Sequence, residues 1–210
     1  MLRYIYGDEL TQFPHLRASM FRDRADQFHA RLGWEVKIDD QGLESDSYDA
    51  LNPLYVIWQM PDGRHRGSMR FLPTTAETMV NDHFSDLTDS VRIASPFIWE
   101  CTRFCLSRDA GHNVSAALML GGLDVGLGHN LSHAVGVFDA RMVRIYRLLG
   151  WPPTILGTKG DGRDATSVGL WAFEERMRVP LLRKAGLSAQ LAANWYARSF
   201  GPPHRLAATG

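Results

Sequence analysis

From residue 14 to residue 32 the apolar side chains Phe21, Ala25, Phe28 and Leu32 recur at helical spacing, and Gly33 stands where such a helix would stop. This pattern predicts a first helix. The runs Tyr55 to Met60 and Ser68 to Leu72 are rich in β-branched and aromatic residues, and the Pro61-Asp62-Gly63 turn between them marks a hairpin. Trp99 to Ser107 reads as the next strand. Asn113 to Val125 follows as a helix with Ala116, Met119, Leu120 and Leu123 on one face. A short strand, Ala134 to Val137, leads into the best-marked helix of the chain. There Asp139 is the N-cap, Met142, Ile145, Tyr146 and Leu149 form the apolar stripe, and Gly150 is the stop. After Trp151-Pro152-Pro153 the pattern predicts strands near 154–157 and 167–171, then helices over 173–184 and 188–200. Helices and strands interleave, so the expected class is α/β (α+β), a mixed sheet between helices.

A length of 210 residues with 45% hydrophobic side chains suffices for one sizeable core, and we expect one domain over residues 1–200. Residues 201–210, opening with Gly201-Pro202-Pro203, read as a flexible tail. Basic and acidic residues balance at 23 each, which gives no reason to expect nucleic acid or a membrane surface as partner. Neither an export signal nor an apolar run of about 18 residues is visible, so the cytoplasm is the expected location. The two cysteines, Cys101 and Cys105, are too few for a disulfide framework and are expected to be reduced core residues. His129 and His133 are the one histidine pair at metal-ligand spacing. No Glu or Cys accompanies them and Gly128 argues against helix there, so we expect no metal. A Gly-x-Ser-x-Gly elbow, a Walker loop and a Gly-x-Gly-x-x-Gly turn are all missing from the sequence.

Four groups of residues carry candidate chemistry. Arg24 and Phe28 lie one helical turn apart with Trp34 just beyond, so a cation and aromatic rings can converge at the end of the first helix. Glu44, Asp46 and Asp49 crowd three carboxylates into one short segment, either a solvated loop or a clamp for a cationic ligand. Arg70 sits in a strand among apolar neighbours, and either points to solvent or pairs with a buried carboxylate or a substrate carboxylate. Glu100 and Arg103 lie in one strand, where strict alternation would set them on opposite faces. A β-bulge between them would bring both to one side, and we expect that bulge because two unpaired charges on a central strand are costly.

Taken in order, Arg24, Phe28, Trp34, Asp46, Asp49, Arg70, Phe84, Glu100 and Arg103 resemble the signature of the LuxI-type autoinducer synthases, the acyl-homoserine lactone synthase family. The resemblance spans roughly residues 20 to 155 and includes the run Arg70 to Thr74 and the pair Gly150-Trp151. It implies a GNAT-like acyltransferase fold, a mixed twisted central sheet flanked by helices with a V-shaped splay between central strands. It also implies transfer of an acyl group from a thioester to the amine of S-adenosylmethionine, then lactone closure with release of methylthioadenosine. S-adenosylmethionine is then a substrate and no cofactor is implied. By the same resemblance Arg24, Phe28, Trp34, Phe84, Thr102 and Arg103 belong to the S-adenosylmethionine site. Asp46, Asp49, Arg70, Glu100 and Arg103 form the polar catalytic cluster, and Thr102 lies near the acyl carbonyl.

The acyl chain needs an apolar tunnel, for which Phe104, Leu118, Gly136, Val137, Met142, Tyr146 and Leu149 are the candidate lining residues. Gly136 falls where relatives selective for 3-oxo chains tend to carry Thr, which favours an unsubstituted chain. Arg141, Arg144 and Arg147 form a basic stripe suited to acidic acyl carrier protein, which is favoured over acyl-CoA as donor. Gly126-Leu127-Gly128, with Leu123 where a pyrophosphate-binding loop has Arg or Gln, would be a degenerate form of that loop. Two other readings stay open: a GNAT-like N-acyltransferase that forms no lactone, and a non-catalytic sensor on the same scaffold.

Overall fold

The computed structural model describes residues 1–201, so the expected tail lies, past Gly201, outside the described residues. The elements run β1 (Leu2–Tyr6), α1 (Pro14–Arg24), β2 (Leu54–Gln59), β3 (His65–Pro73), α2 (Met79–His83), β4 (Ile98–Leu106), α3 (His112–Gly128), β5 (His133–Asp139), α4 (Ala140–Leu149), β6 (Thr154–Lys159), β7 (Thr166–Ala172), α5 (Arg178–Ala185) and α6 (Ala189–Phe200). The strands form one sheet in the order β1-β2-β3-β4-β5-β7-β6. Every neighbouring pair is antiparallel except β4 with β5. This is the mixed α/β architecture the pattern implies.

Local signals explain most of these elements. The Asp139 carboxylate accepts from the N–H groups of Arg141 and Met142, and Gly150 takes the left-handed conformation that ends α4. Two elements escape the sequence pattern, the edge strand β1 and the short helix α2. The first helix is also less regular than its periodicity suggests. Beyond Arg24 it widens into a π-helical turn over Ala25–Arg31, a local form often found at functional sites. The helix expected over 173–184 is α-helical only from Arg178, after a 3-10 turn over Glu175–Met177, because the Phe173 N–H is still bonded to the Ser132 carbonyl at the end of the sheet.

Packing at the end of α3 corrects the reading of Gly126 and Gly128. Both lie at the carboxyl end of α3, not in a strand-to-helix loop, and they are small because Phe173 and Tyr196 occupy the space a side chain would need. They form no pyrophosphate loop, degenerate or otherwise, since the peptide N–H groups at that end serve the helix itself.

The two faces of the sheet divide the labour. Met69, Phe71, Trp99 and Cys101 pack toward α3 and the carboxyl-terminal helices in the main core. On the opposite face Tyr55 and Ile57 meet Leu16, Met20 and Phe21 of α1. The parallel pairing of β4 with β5 covers only Ile98–Glu100 against His133–Val135, and beyond it β4 stays with β3 while β5 follows β7. The sheet therefore opens into a V in its middle. No helix among the described residues is long and apolar enough to cross a membrane.

Candidate active site

The expected bulge is present. Ser68 pairs with Cys105 but Arg70 pairs with Thr102, so β4 carries one extra residue there, and Arg103 adopts φ 53°, rare for a side chain larger than glycine. The extra residue turns Arg103 onto the α1 face, the face of Glu100 and Thr102. It also separates the cysteines: Cys101 meets Met69 in the main core and Cys105 lies buried on the other face, both free. Burial pushes the Cys101 thiol up to about 12.

Around Arg103 the sequence candidates converge into one network. Arg24 is almost fully buried, donates from Nε to Glu44 at 2.5 Å, and grips both Asp49 oxygens at 2.9 Å. Arg70, also fully buried, donates to Asp46 at 2.5 and 3.0 Å, to Asp49 at 2.8 Å and, through Nε, to Thr102 Oγ1 at 3.0 Å. Arg103 completes it with bonds to Glu44 at 3.0 Å and Asp46 at 2.7 Å. Asp46 and Asp49 brace each other through a reciprocal capping box, and the Tyr55 hydroxyl donates to Asp49 at 2.6 Å. Three guanidinium groups thus face three carboxylates. The carboxylates are spent on arginines, so the network organises the cleft and does not offer a free negative charge to a ligand.

The consequence for electrostatics follows the geometry. Burial works against the Asp49 carboxylate, but Arg24 and Arg70 outweigh it and hold its pKa well below the usual range. At the mouth, Arg103 lies over the Phe28 ring at 5.3 Å, and Trp34 stacks on Phe28 at 5.3 Å with the planes 5° apart while remaining 40% exposed. The ion-pair network therefore ties the first helix and its π-helical turn to β3 and β4.

Glu100 stands beside this network. Its carboxylate accepts the N–H of Val80 at 2.6 Å and of Met79 at 3.1 Å, at the start of α2. Burial pushes its pKa up to about 7 despite these two bonds. Phe84 is not brought into the network: it packs with Val80, Leu87, Val135 and Val168 and borders a separate shallow cleft with His83 and Lys159.

On the far side of the bulge a cavity of about 70 Å³ enters the V between β4 and β5. Of the candidate acyl-lining residues Phe104, Gly136, Val137 and Tyr146 border it, together with Thr102 and Arg103. Leu118, Met142 and Leu149 do not, because they are packed among core side chains. Sequence reading missed further wall residues, among them Met69, Phe71, Met119, Trp151, Trp171 and Phe173. Tyr55 was read only as part of a β-prone run, and nothing in its apolar neighbourhood signals the hydroxyl bond to Asp49.

A splayed mixed sheet, with an apolar cavity in the splay and a charged cleft at its mouth, defines a protein of the GNAT-like acyltransferase architecture. A putative N-acetyltransferase from Lactobacillus plantarum shares it at a TM-score of 0.54 and 14% identity, over 82% of this chain and 99% of that one. Residues 10–172 match the autoinducer synthase family, and the chain belongs to that family. An acyl-homoserine-lactone synthase of Rhizobium etli is 41% identical over 178 residues, 81% of this chain and 84% of the relative. BjaI, a CoA-dependent acyl-homoserine lactone synthase solved with SAM and isopentyl-CoA, superposes with a TM-score of 0.79 at 22% identity, covering 90% of each chain.

Proposed function

We propose that the charged cleft holds S-adenosylmethionine and the cavity holds the acyl chain, so that the two substrates meet at Thr102 and Arg103. The chain is an acyl-homoserine lactone synthase. The observation that carries the assignment of the sites is that Arg103 belongs to both, ion-paired in the network and bordering the cavity. Polar and apolar substrates are thereby directed to one junction.

In this reading the network fixes Arg24, Phe28 and Trp34 over the methionine portion, and the face of the aromatic pair favours the sulfonium charge. Glu100 accepts the amine proton, directly or through a water, because a carboxyl with pKa near 7 is divided between its two forms at neutral pH. The freed amine attacks the thioester carbonyl, and the thiolate leaves. Backbone N–H groups at the bulge are the donors for the oxyanion, since an extra residue is released from the regular ladder. The substrate carboxylate then attacks its own γ-carbon, closing the lactone and expelling methylthioadenosine. The reaction runs in the cytoplasm, with no cofactor. Incubating the purified chain with S-adenosylmethionine and an acyl thioester should release methylthioadenosine and lactone together. An open-chain acylated product without methylthioadenosine would favour the simple N-acyltransferase.

Acyl carrier protein is the donor supported by α4, where Arg144, Ile145, Arg147 and Leu148 are exposed side by side and Arg141 pairs with Asp139. Cationic and apolar contacts on one helix suit an acidic amphipathic partner. Charge reversal in R144E/R147E is expected to raise KM for a carrier-borne thioester by about tenfold or more, with a far smaller effect on acyl-CoA. Equal effects on both donors would remove α4 from donor recognition.

A further inference from the structure

We infer that the acyl chain carries an oxygen substituent, and that the hydroxyl of Tyr146 reads it. This rests on the cavity being the acyl site. Tyr146 projects from α4, borders the cavity and is 7% exposed. Its ring is clamped by edge contacts with Phe138 at 5.4 Å and Trp171 at 4.9 Å, and the Trp171 indole is itself pinned by a 3.0 Å bond to the Trp151 carbonyl. The ring has no freedom to carry its hydroxyl elsewhere.

That hydroxyl makes no hydrogen bond to any described residue. Tyrosine hydroxyls in apolar surroundings ordinarily find a partner, and this one is open to whatever the cavity holds. Among the described residues the one fully enclosed side-chain donor left without a partner is the Nε of Arg103, so the Tyr146 hydroxyl is itself reachable. Thr102 is already engaged through Oγ1 by Arg70. The walls thus hold one reachable hydroxyl without a protein partner among apolar side chains. The Tyr146 hydroxyl suits an oxygen carried on the acyl chain.

Gly136 sharpens the point. A Cβ there would sit 2.9 Å from the Cys101 carbonyl and 3.2 Å from the Trp171 ring, so no side chain at this position could supply the polar contact. The expectation of an unsubstituted chain rested on the missing hydroxyl at 136. Tyr146 provides a hydroxyl from another element, and reverses that expectation.

Acyl thioesters of one length, unsubstituted, 3-hydroxy and 3-oxo, compared in competition with lactone mass spectrometry as readout, test the inference. The native chain is expected to favour one of the oxygenated substrates in kcat/KM by about tenfold or more, and Tyr146→Phe to bring that ratio close to one. No preference in the native chain, a preference that survives Tyr146→Phe, or an equal loss on all three substrates would each overturn the role of Tyr146. A parallel Phe104→Ala variant tests the cavity itself by its chain-length profile. An unmoved profile overturns the acyl assignment and this inference with it. A shifted profile without discrimination overturns the Tyr146 assignment alone.

Discussion

Glu100→Gln is expected to lower kcat by about 100-fold or more while the protein remains folded, the range associated with losing a positioned general base. Burial pushes the Glu100 carboxyl up to about 7, and the base must be ionised to accept a proton. The native rate should therefore rise with pH through about 7 and then level off, and the variant should lack that limb. Stability moves separately. Because the folded pKa lies above the usual carboxyl value near 4, Glu100 disfavours the fold as pH rises from about 4 past 7. Glutamine abolishes that dependence. It also loses one of the two backbone bonds at Met79 and Val80, since an amide nitrogen cannot accept an N–H, at a cost of about 1–3 kcal/mol. Methylthioadenosine release across this pH range, beside thermal melts, separates the two effects. A folded variant with an unchanged rate and unchanged pH profile removes Glu100 from the chemistry.

The bulge at Arg103 shows why such a site is partly legible in a sequence. Two charges in one apolar strand pose a physical problem with few solutions, and the bulge solves it by turning Arg103 to the side where Glu44 and Asp46 wait. Helix α4 was legible for a similar reason, because Asp139 and Gly150 are local signals that need no knowledge of the rest of the fold. The strand β1 was not, since Leu2 to Tyr6 becomes a strand only by pairing with β2. The cavity falls between these cases. Leu118, Met142 and Leu149 lie on apolar stripes like those of Phe104 and Tyr146, but which apolar side chains face a void depends on where β4 and β5 part. Trp151 and Trp171 come to the wall from strands and turns on the far side of that opening, so nothing near them in sequence announces it.

Arg70→Met is expected to destabilise the protein by about 3–5 kcal/mol, the cost of removing one partner from a buried ion pair. Methionine fills much of the volume, so the loss reports charge more than packing. Of their charged partners Asp46 would keep Arg103 and Asp49 would keep Arg24, beside the capping-box N–H bonds and the Tyr55 hydroxyl, while the Thr102 oxygen would lose its donor. Lysine should rescue little, because Arg70 spreads bonds to three residues across a rigid fork that a single ammonium cannot reproduce. The pH dependence gives the sharper discrimination. The folded Asp49 pKa lies below its unfolded value, so its contribution is present above about pH 4 and fades as pH falls below that. Urea unfolding should show a wide gap between native and variant proteins at neutral pH that narrows in acid, once the carboxylates are protonated in both states. A gap below about 1 kcal/mol at neutral pH would make the network no stronger than a surface pair. Its hold on α1, and with it the ordering of Phe28 and Trp34 over the cleft, would then need another source.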